Sequence, residues 1–262
     1  MSAVLPVQPP QQAARPVLQL HRYGGVPVPQ ISRQAFLDRW KYLSGEHLTI
    51  LGYTQSGKTT LGFQLLDSVI HPKLQALVLV MKPRDKTVTA WGKQLGLVRT
   101  RSWPPFSGWR RIFGTGQNGY LVWPNHSFDP DIDDPRHYRI FRACMLNAYK
   151  SKKANIIVAD EAGGLAKELH LERPLKTLLS KGSSMGTGVW EFSQRPVDMP
   201  GLGYNGATHL FFHQDPDKRN RERLREIGGR HDPKQLEAIV THLPEHHFLY
   251  LHRNGGRLVI EP

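Results

Sequence analysis

At 262 residues, with 39% hydrophobic and 22% charged side chains, the chain has the make-up of a globular protein and is too short for two large domains. No apolar run nears the ~20 residues needed to cross a bilayer, and the opening MSAVLPVQPPQQAARP lacks the apolar core of a secretory leader, so no direct membrane span and a cytoplasmic setting are expected. A net charge of +13 favours a polyanionic partner, and a single cysteine excludes an intrachain disulfide or a Cys-rich metal site.

In chain order, residues 1–30 are rich in Pro and Gln and are expected to be a flexible tail, with one domain over residues 31–262. SRQAFLDRWKYLSGEH reads as a short helix, HLTILGY as a buried strand, and KTTLGFQLLDSVI as a helix with apolar residues at helical spacing. ALVLVM is the next strand, halted by Lys82-Pro83-Arg84. Residues 87–130, rich in Trp, Pro and Gly, offer possible strands at RRIFG and GYLVWP. A helix over residues 134–152 carries Cys144, expected as a small buried residue, and leads to the strand NIIVADE. LERPLKTLLSKGSSMG reads as a helix, GVWEFSQ and THLFFHQ as strands, and DKRNRERLREIGG as a basic helix closed by glycine. The C-terminal runs around Asn254-Gly255-Gly256 signal a β-hairpin. Strands alternating with helices imply an α/β fold, with a mainly parallel sheet flanked by helices and a C-terminal β-hairpin.

The segment Gly52-Tyr53-Thr54-Gln55-Ser56-Gly57-Lys58-Thr59 matches the phosphate-binding P-loop pattern in full, between a strand and a helix. Glycines let successive N–H groups point at phosphate oxygens, and the helix aims its positive end at the anion. Residues 54–60, Thr60 included, form the candidate ATP cradle. Lys58 is placed for the β- and γ-phosphates and the Thr59 hydroxyl for Mg2+. Asp160 and Glu161 end a strongly apolar strand. Asp160 is the second candidate for orienting Mg2+, and Glu161 is the candidate general base for water. Gln194, in Ser193-Gln194-Arg195-Pro196, is the candidate sensor between the γ-phosphate and the attacking water.

Other side chains keep two readings. Trp103, Phe106 and Trp109 stand among basic residues, where they either stack bases or anchor an insertion. Basic clusters at residues 99–111 and 218–230 lack the wide apolar face of an interfacial helix, which favours nucleic acid over a membrane surface. His246 and His247 are expected on opposite faces of a strand, and His209 and His213 have no third metal ligand in view.

Together the P-loop, Asp160-Glu161 and LLSKGSSMGTGVWEFSQRP resemble the FtsK/HerA superfamily of DNA-translocating and DNA-packaging ATPases. VLVMKPRD is similar to that family's second strand, with Lys82 in place of its acid, and Ser193 stands for its threonine. The resemblance implies a RecA-like (ASCE) core, a hexameric ring with ATP between subunits, and double-stranded DNA in its channel. The small size of the chain resembles viral packaging ATPases and motors of mobile elements. It implies a virion-associated place at a packaging vertex if viral, with a capsid or membrane-complex docking protein as partner. It also implies an arginine supplied in trans, for which Arg219, Arg221, Arg223 and Arg225 are candidates; Lys181 is a further one, since Ser183 stands where the family often has arginine. A nucleotide-dependent scaffold that docks a partner without moving DNA is the alternative, and a small-molecule kinase is disfavoured by Glu161 and Gln194.

Overall fold

The computed structural model describes residues 18–105, 118–151, 153–195, 201–227 and 231–262. Its strands are β1 (Gln19–Tyr23), β2 (Val26–Ser32), β3 (Leu48–Leu51), β4 (Leu74–Leu79), β5 (Val98–Thr100), β6 (Gly119–Val122), β7 (Ala154–Ala159), β8 (Thr187–Ser193), β9 (His209–Phe212), β10 (Phe248–His252) and β11 (Arg257–Glu261). The helices are α1 (Arg33–Leu37), α2 (Lys58–Asp67), α3 (Lys86–Gln94), α4 (Pro130–Lys150), α5 (Ala162–Lys167), α6 (Glu172–Lys181), α7 (Gly201–Asn205), α8 (Lys218–Glu222) and α9 (Pro233–Thr241). No helix among the described residues is long and apolar enough to cross a membrane.

All the strands join one sheet, in the order β1-β2-β11-β10-β9-β3-β8-β7-β4-β6-β5. From β9 to β5 every pairing is parallel, whereas β10 runs antiparallel to both β9 and β11. The architecture is therefore the expected α/β fold, mainly parallel with a closing hairpin. Its central strands read as unbroken apolar runs because both faces are covered. On one face Ile50, Val78, Val158, Trp190 and Phe192 meet α2 through Leu61 and Leu65. On the other, Leu77, Ile157 and Val189 meet Phe141, Met145, Leu175 and Leu178 of α4 and α6. Cys144 is fully buried in that second layer, as expected for a small apolar residue.

Three expectations are corrected. Residues 19–30, expected within the flexible tail, lie in β1 and β2, and β2 pairs in parallel with β11. Val28 and Ile31 are buried there, so a Pro-containing segment gains apolar contact on the sheet flank, where proline is tolerated. The first helix ends at Leu37; the following Trp40 and Tyr42 instead set their rings against Trp190. His246 and His247 precede β10 in a turn, with His246 at φ 59°, so they do not face opposite sides of a strand. Residues 86–130 hold α3, β5 and β6, of which β6 falls in GYLVWP, while the possible strand RRIFG lies outside the described residues.

Gly62 sets how closely α2 approaches the sheet, since a Cβ there would run into the Phe192 ring. Gly62→Val should lower stability by about 1–3 kcal/mol, the usual cost of overpacking, read as a lower urea midpoint at unchanged slope. An unchanged midpoint would mean that α2 shifts freely.

Candidate active site

The parallel strands deliver their C-terminal ends to one edge of the sheet, and the candidate residues gather there. Topology decides the arrangement: β8 is inserted between β3, which leads into the P-loop, and β7, which leads into Asp160. Gln194 therefore emerges between the phosphate loop and the acidic pair.

The P-loop turns sharply because Gln55 and Gly57 both adopt positive φ, 67° and 89°. Gly57 is the N-cap of α2, so the loop N–H groups and the helix end converge on one point. Gly52 has no room for a side chain: a Cβ would sit 2.6 Å from His213 Cβ and 2.7 Å from Ser56 Oγ. Ser56 Oγ itself is buried, with no hydrogen-bond partner among the described residues.

A cavity of about 300 Å³ is lined by Thr54, Gln55, Ser56, Gly57, Lys58, Thr59 and Thr60 on one side. Lys82, Asp85, Thr87, Asp160, Glu161 and Gln194 line the other. Lys58 Nζ donates to the Tyr53 carbonyl at 2.8 Å, folded over the loop it would serve. Thr59 Oγ1 donates to Asp160 Oδ1 at 3.3 Å. Two hard oxygen donors at a helix N-terminus fit Mg2+, which takes few protein ligands and retains waters. Gln194 links the two halves: its Nε2 donates to Glu161 Oε2 at 3.1 Å, and its Oε1 accepts from Thr54 Oγ1 at 2.8 Å.

Burial sets the protonation balance here. It lowers the Lys58 ammonium to about 8, against the opposing pull of Glu161 and Asp160. It raises the Asp160 carboxyl, an effect opposed first by Lys82, and it raises Glu161, opposed first by the Gln194 hydrogen bond. Each group is held nearer its neutral form until an opposite charge arrives.

A second cavity of about 580 Å³ adjoins the first across Glu161, Lys82 and Gln194, and also takes in Arg195 and Glu168. None of the arginines considered for action in trans lines either cavity of its own chain. Arg221 donates to the Asp215 carbonyl at 2.9 Å and lies 3.6 Å from Glu237, and Arg223 pairs with Glu226 at 3.0 Å. Arg219 and Arg225 are exposed, as is Lys181 at the end of α6. Trp103 sets its ring edge-on against Tyr120 and packs on the core, which is the anchoring arrangement; Phe106 and Trp109 lie outside the described residues.

Sequence reasoning missed two side chains beside the site, His213 and Lys82, and the bond between Thr54 and Gln194. His213 is buried behind the loop, its Nε2 accepting from His246 N at 3.1 Å and its ring edge-on to Tyr53. Thr54 proved to be the partner of Gln194, and Lys82 approaches Asp160. No spacing rule could find these contacts, since each depends on which strands are neighbours. A third potential ligand also appears beside His209: ligand atoms of Glu46, His209 and His252 lie within 4.8 Å of one another. These groups already bond among themselves and to their neighbours. Nε2 of His209 faces Glu46 Oε2 at 3.1 Å, its Nδ1 faces the Tyr250 hydroxyl at 2.9 Å, and Leu43 N donates to Glu46 Oε2 at 2.6 Å. The cluster sits at the start of β9, at the opposite sheet edge from the P-loop.

No protein-family model matches the chain, and no curated protein sequence does. Among solved structures, the DNA-packaging ATPase B204 from Sulfolobus turreted icosahedral virus superposes with a TM-score of 0.58. The match covers 84% of this chain and 99% of that one at 14% identity. The two chains share one fold. The genome-packaging NTPase B204 of Sulfolobus turreted icosahedral virus 2, in complex with AMP, matches at TM-score 0.56 and 14% identity, over 83% of this chain and 97% of that one. EssC (ATPases 2 and 3) from Geobacillus thermodenitrificans matches at TM-score 0.53 and 14% identity, covering 97% of this chain and 47% of that one. At this identity the likeness establishes the RecA-like P-loop architecture, to which B204 and EssC belong.

Proposed function

We propose that the chain is a Mg2+-dependent ATPase that moves double-stranded DNA, as a genome-packaging or mobile-element transfer motor. One observation supports this above the others: the P-loop, Asp160, Glu161 and Gln194 line one cavity at the C-terminal edge of the sheet. The fold shared with B204 adds to it, as does the charge of +13.

In this reading the loop N–H groups and Lys58 hold the phosphates, and Thr59 and Asp160 would hold Mg2+, which would supply charge neutralisation to the phosphates. Glu161 accepts a proton from the water whose oxygen attacks the γ-phosphorus. The bond from that phosphorus to the ADP oxygen breaks, leaving ADP and phosphate. Gln194 reports the terminal phosphate to Glu161, and an arginine from an adjacent subunit of a hexameric ring offsets the developing charge. Basic loops then shift along the DNA backbone without reading sequence.

The test is ATP turnover with and without duplex DNA, in salt near ~0.1 M to limit nonspecific binding. DNA-stimulated turnover is expected. Negligible turnover that ignores DNA, with nucleotide-dependent binding of a partner, would replace the motor with a scaffold.

A pH dependence follows from Lys58. The cationic form binds phosphate, and in the free chain this lysine loses its proton near pH 8. Binding must therefore restore a proton above that value, and ATPγS affinity should fall as pH rises through it, approaching tenfold per unit. A flat calorimetric profile between pH 7 and about pH 9.5 would refute Lys58 as the phosphate cation.

A further inference from the structure

Lys82 belongs to no phosphate-binding pattern in the sequence, yet it stands on the wall shared by the two cavities. Its backbone is fixed from both sides of the strand end. Trp123 Nε1 donates to the Lys82 carbonyl at 2.8 Å, and the His126 ring meets the Met81 carbonyl at 2.8 Å. From that fixed root the side chain reaches Asp160 Oδ2 at 3.8 Å and Asp85 Oδ2 at 3.5 Å. Asp85 is itself held in place, its Oδ1 capping α3 through Val88 N at 2.9 Å. The Lys82 side chain is 47% exposed, whereas the Asp160 side chain is 3% exposed. A half-exposed ammonium therefore lies against a buried carboxylate that a nucleotide's metal ion would need.

An ammonium and a dication cannot both rest on Asp160, because like charges at ion-pair separation repel strongly in a half-buried site. The four-carbon stem lets Nζ leave while its root stays fixed. The anionic destination within reach is the end of the cavity that carries Glu161 and Gln194, where the terminal phosphate belongs. The P-loop N–H groups and Lys58 hold the opposite side.

We propose that Lys82 is a second phosphate-binding lysine, which neutralises Asp160 in the nucleotide-free chain and transfers to a γ-phosphate oxygen when ATP binds with its metal. This rests on the ATPase reading above. Lys82 keeps its proton throughout: the water's proton goes to Glu161, the bond to ADP breaks, and Lys82 returns to Asp160 once phosphate leaves. It would be a catalytic residue in the strict sense, touching the group that is transferred, and it would tell ATP from ADP within one subunit.

The test compares Lys82→Met, Lys82→Arg and the wild type by calorimetry, with ATPγS and with ADP, each in Mg2+. Arg84→Met serves as a control for general loss of charge, because Arg84 lines a separate groove with Lys93, Arg99 and Trp123. Lys82→Met should weaken ATPγS by about 10- to 100-fold, the effect of one charge-assisted hydrogen bond, and ADP by no more than about threefold. Lys82→Arg should recover most of the ATPγS affinity, and Arg84→Met should leave the ratio unchanged. Without nucleotide, Lys82→Met should bind Mn2+ more tightly by electron paramagnetic resonance, since the competing ammonium is gone. An unchanged ATPγS-to-ADP ratio, or an equal loss of both ligands, overturns the assignment, and unchanged Mn2+ affinity overturns its nucleotide-free half. If the wild type binds neither nucleotide, the ATPase reading itself fails, an outcome distinct from a wild type that binds both and a variant that matches it.

Discussion

Glu161→Gln should bind ATPγS as the wild type does and hydrolyse ATP about a thousandfold more slowly, within the ~10²–10⁴ range of a positioned general base. The substitution keeps the shape of the side chain, and Gln194 can turn its amide to meet the new one. What is lost is the capacity to accept a proton from water. The carboxyl is raised by burial, which makes it a stronger base than a solvated glutamate while the hydrogen bond from Gln194 keeps it in use. Steady-state phosphate release and single-turnover assays, with duplex DNA present, measure the effect. A variant retaining more than about a tenth of wild-type turnover would show that water is activated elsewhere.

Glu191→Leu should raise thermal stability strongly at pH 8 and much less near pH 4.5. Glu191 lies in β8, paired in register with Thr49 of β3 and Ala159 of β7, and is fully buried. Neither carboxyl oxygen has a hydrogen-bond partner among the described residues. Burial raises its carboxyl to about 8, from an ordinary value of 4.5. Below the ordinary value both folded and unfolded chains hold the proton, so pH costs nothing. Between the two values the unfolded chain releases its proton while the folded chain keeps it, and stability falls by up to about 1.4 kcal/mol per pH unit. By pH 8 the loss is on the order of 4–5 kcal/mol. Replacing the carboxyl with a leucine of similar size removes that loss, and at roughly 2–4 °C per kcal/mol the melting temperature should rise by about 10 °C at pH 8. Glu191→Gln should abolish the pH dependence with a smaller gain, because a buried amide is also left without partners. A melting temperature that falls equally at both pH values would mean that Glu191 is ionised and bonded in the fold.

How legible the site was depended on how locally each part is encoded. The P-loop is a run of consecutive residues whose turn, glycines and helix start are neighbours in sequence, so its conformation could be read directly. Asp160 and Glu161 were legible for a similar reason, since an apolar strand ending in two acids places them at a sheet edge wherever the strand lies. Gln194 was readable as a candidate sensor at a strand tip, but its partners were not. Its bonds to Thr54 and Glu161 exist because β8 inserts between β3 and β7, an order that reverses the order in sequence. Lys82 looked like a strand terminator, and its approach to Asp160 follows from β4 pairing with β7. The N-terminal hairpin was read as tail because its composition is poor in apolar residues. Burying Val28 and Ile31 against the far flank of the sheet requires β11, which lies at the other end of the chain.

By itself, then, the amino-acid sequence determined the alternation of elements, the phosphate loop, the acid pair and the charge, all properties of short contiguous segments obeying backbone sterics and hydrophobic periodicity. The tertiary structure alone decided strand order, and with it which side chains share the cavity. Pairing of distant strands is selected by the burial of both sheet faces at once, a condition that no local window of sequence contains.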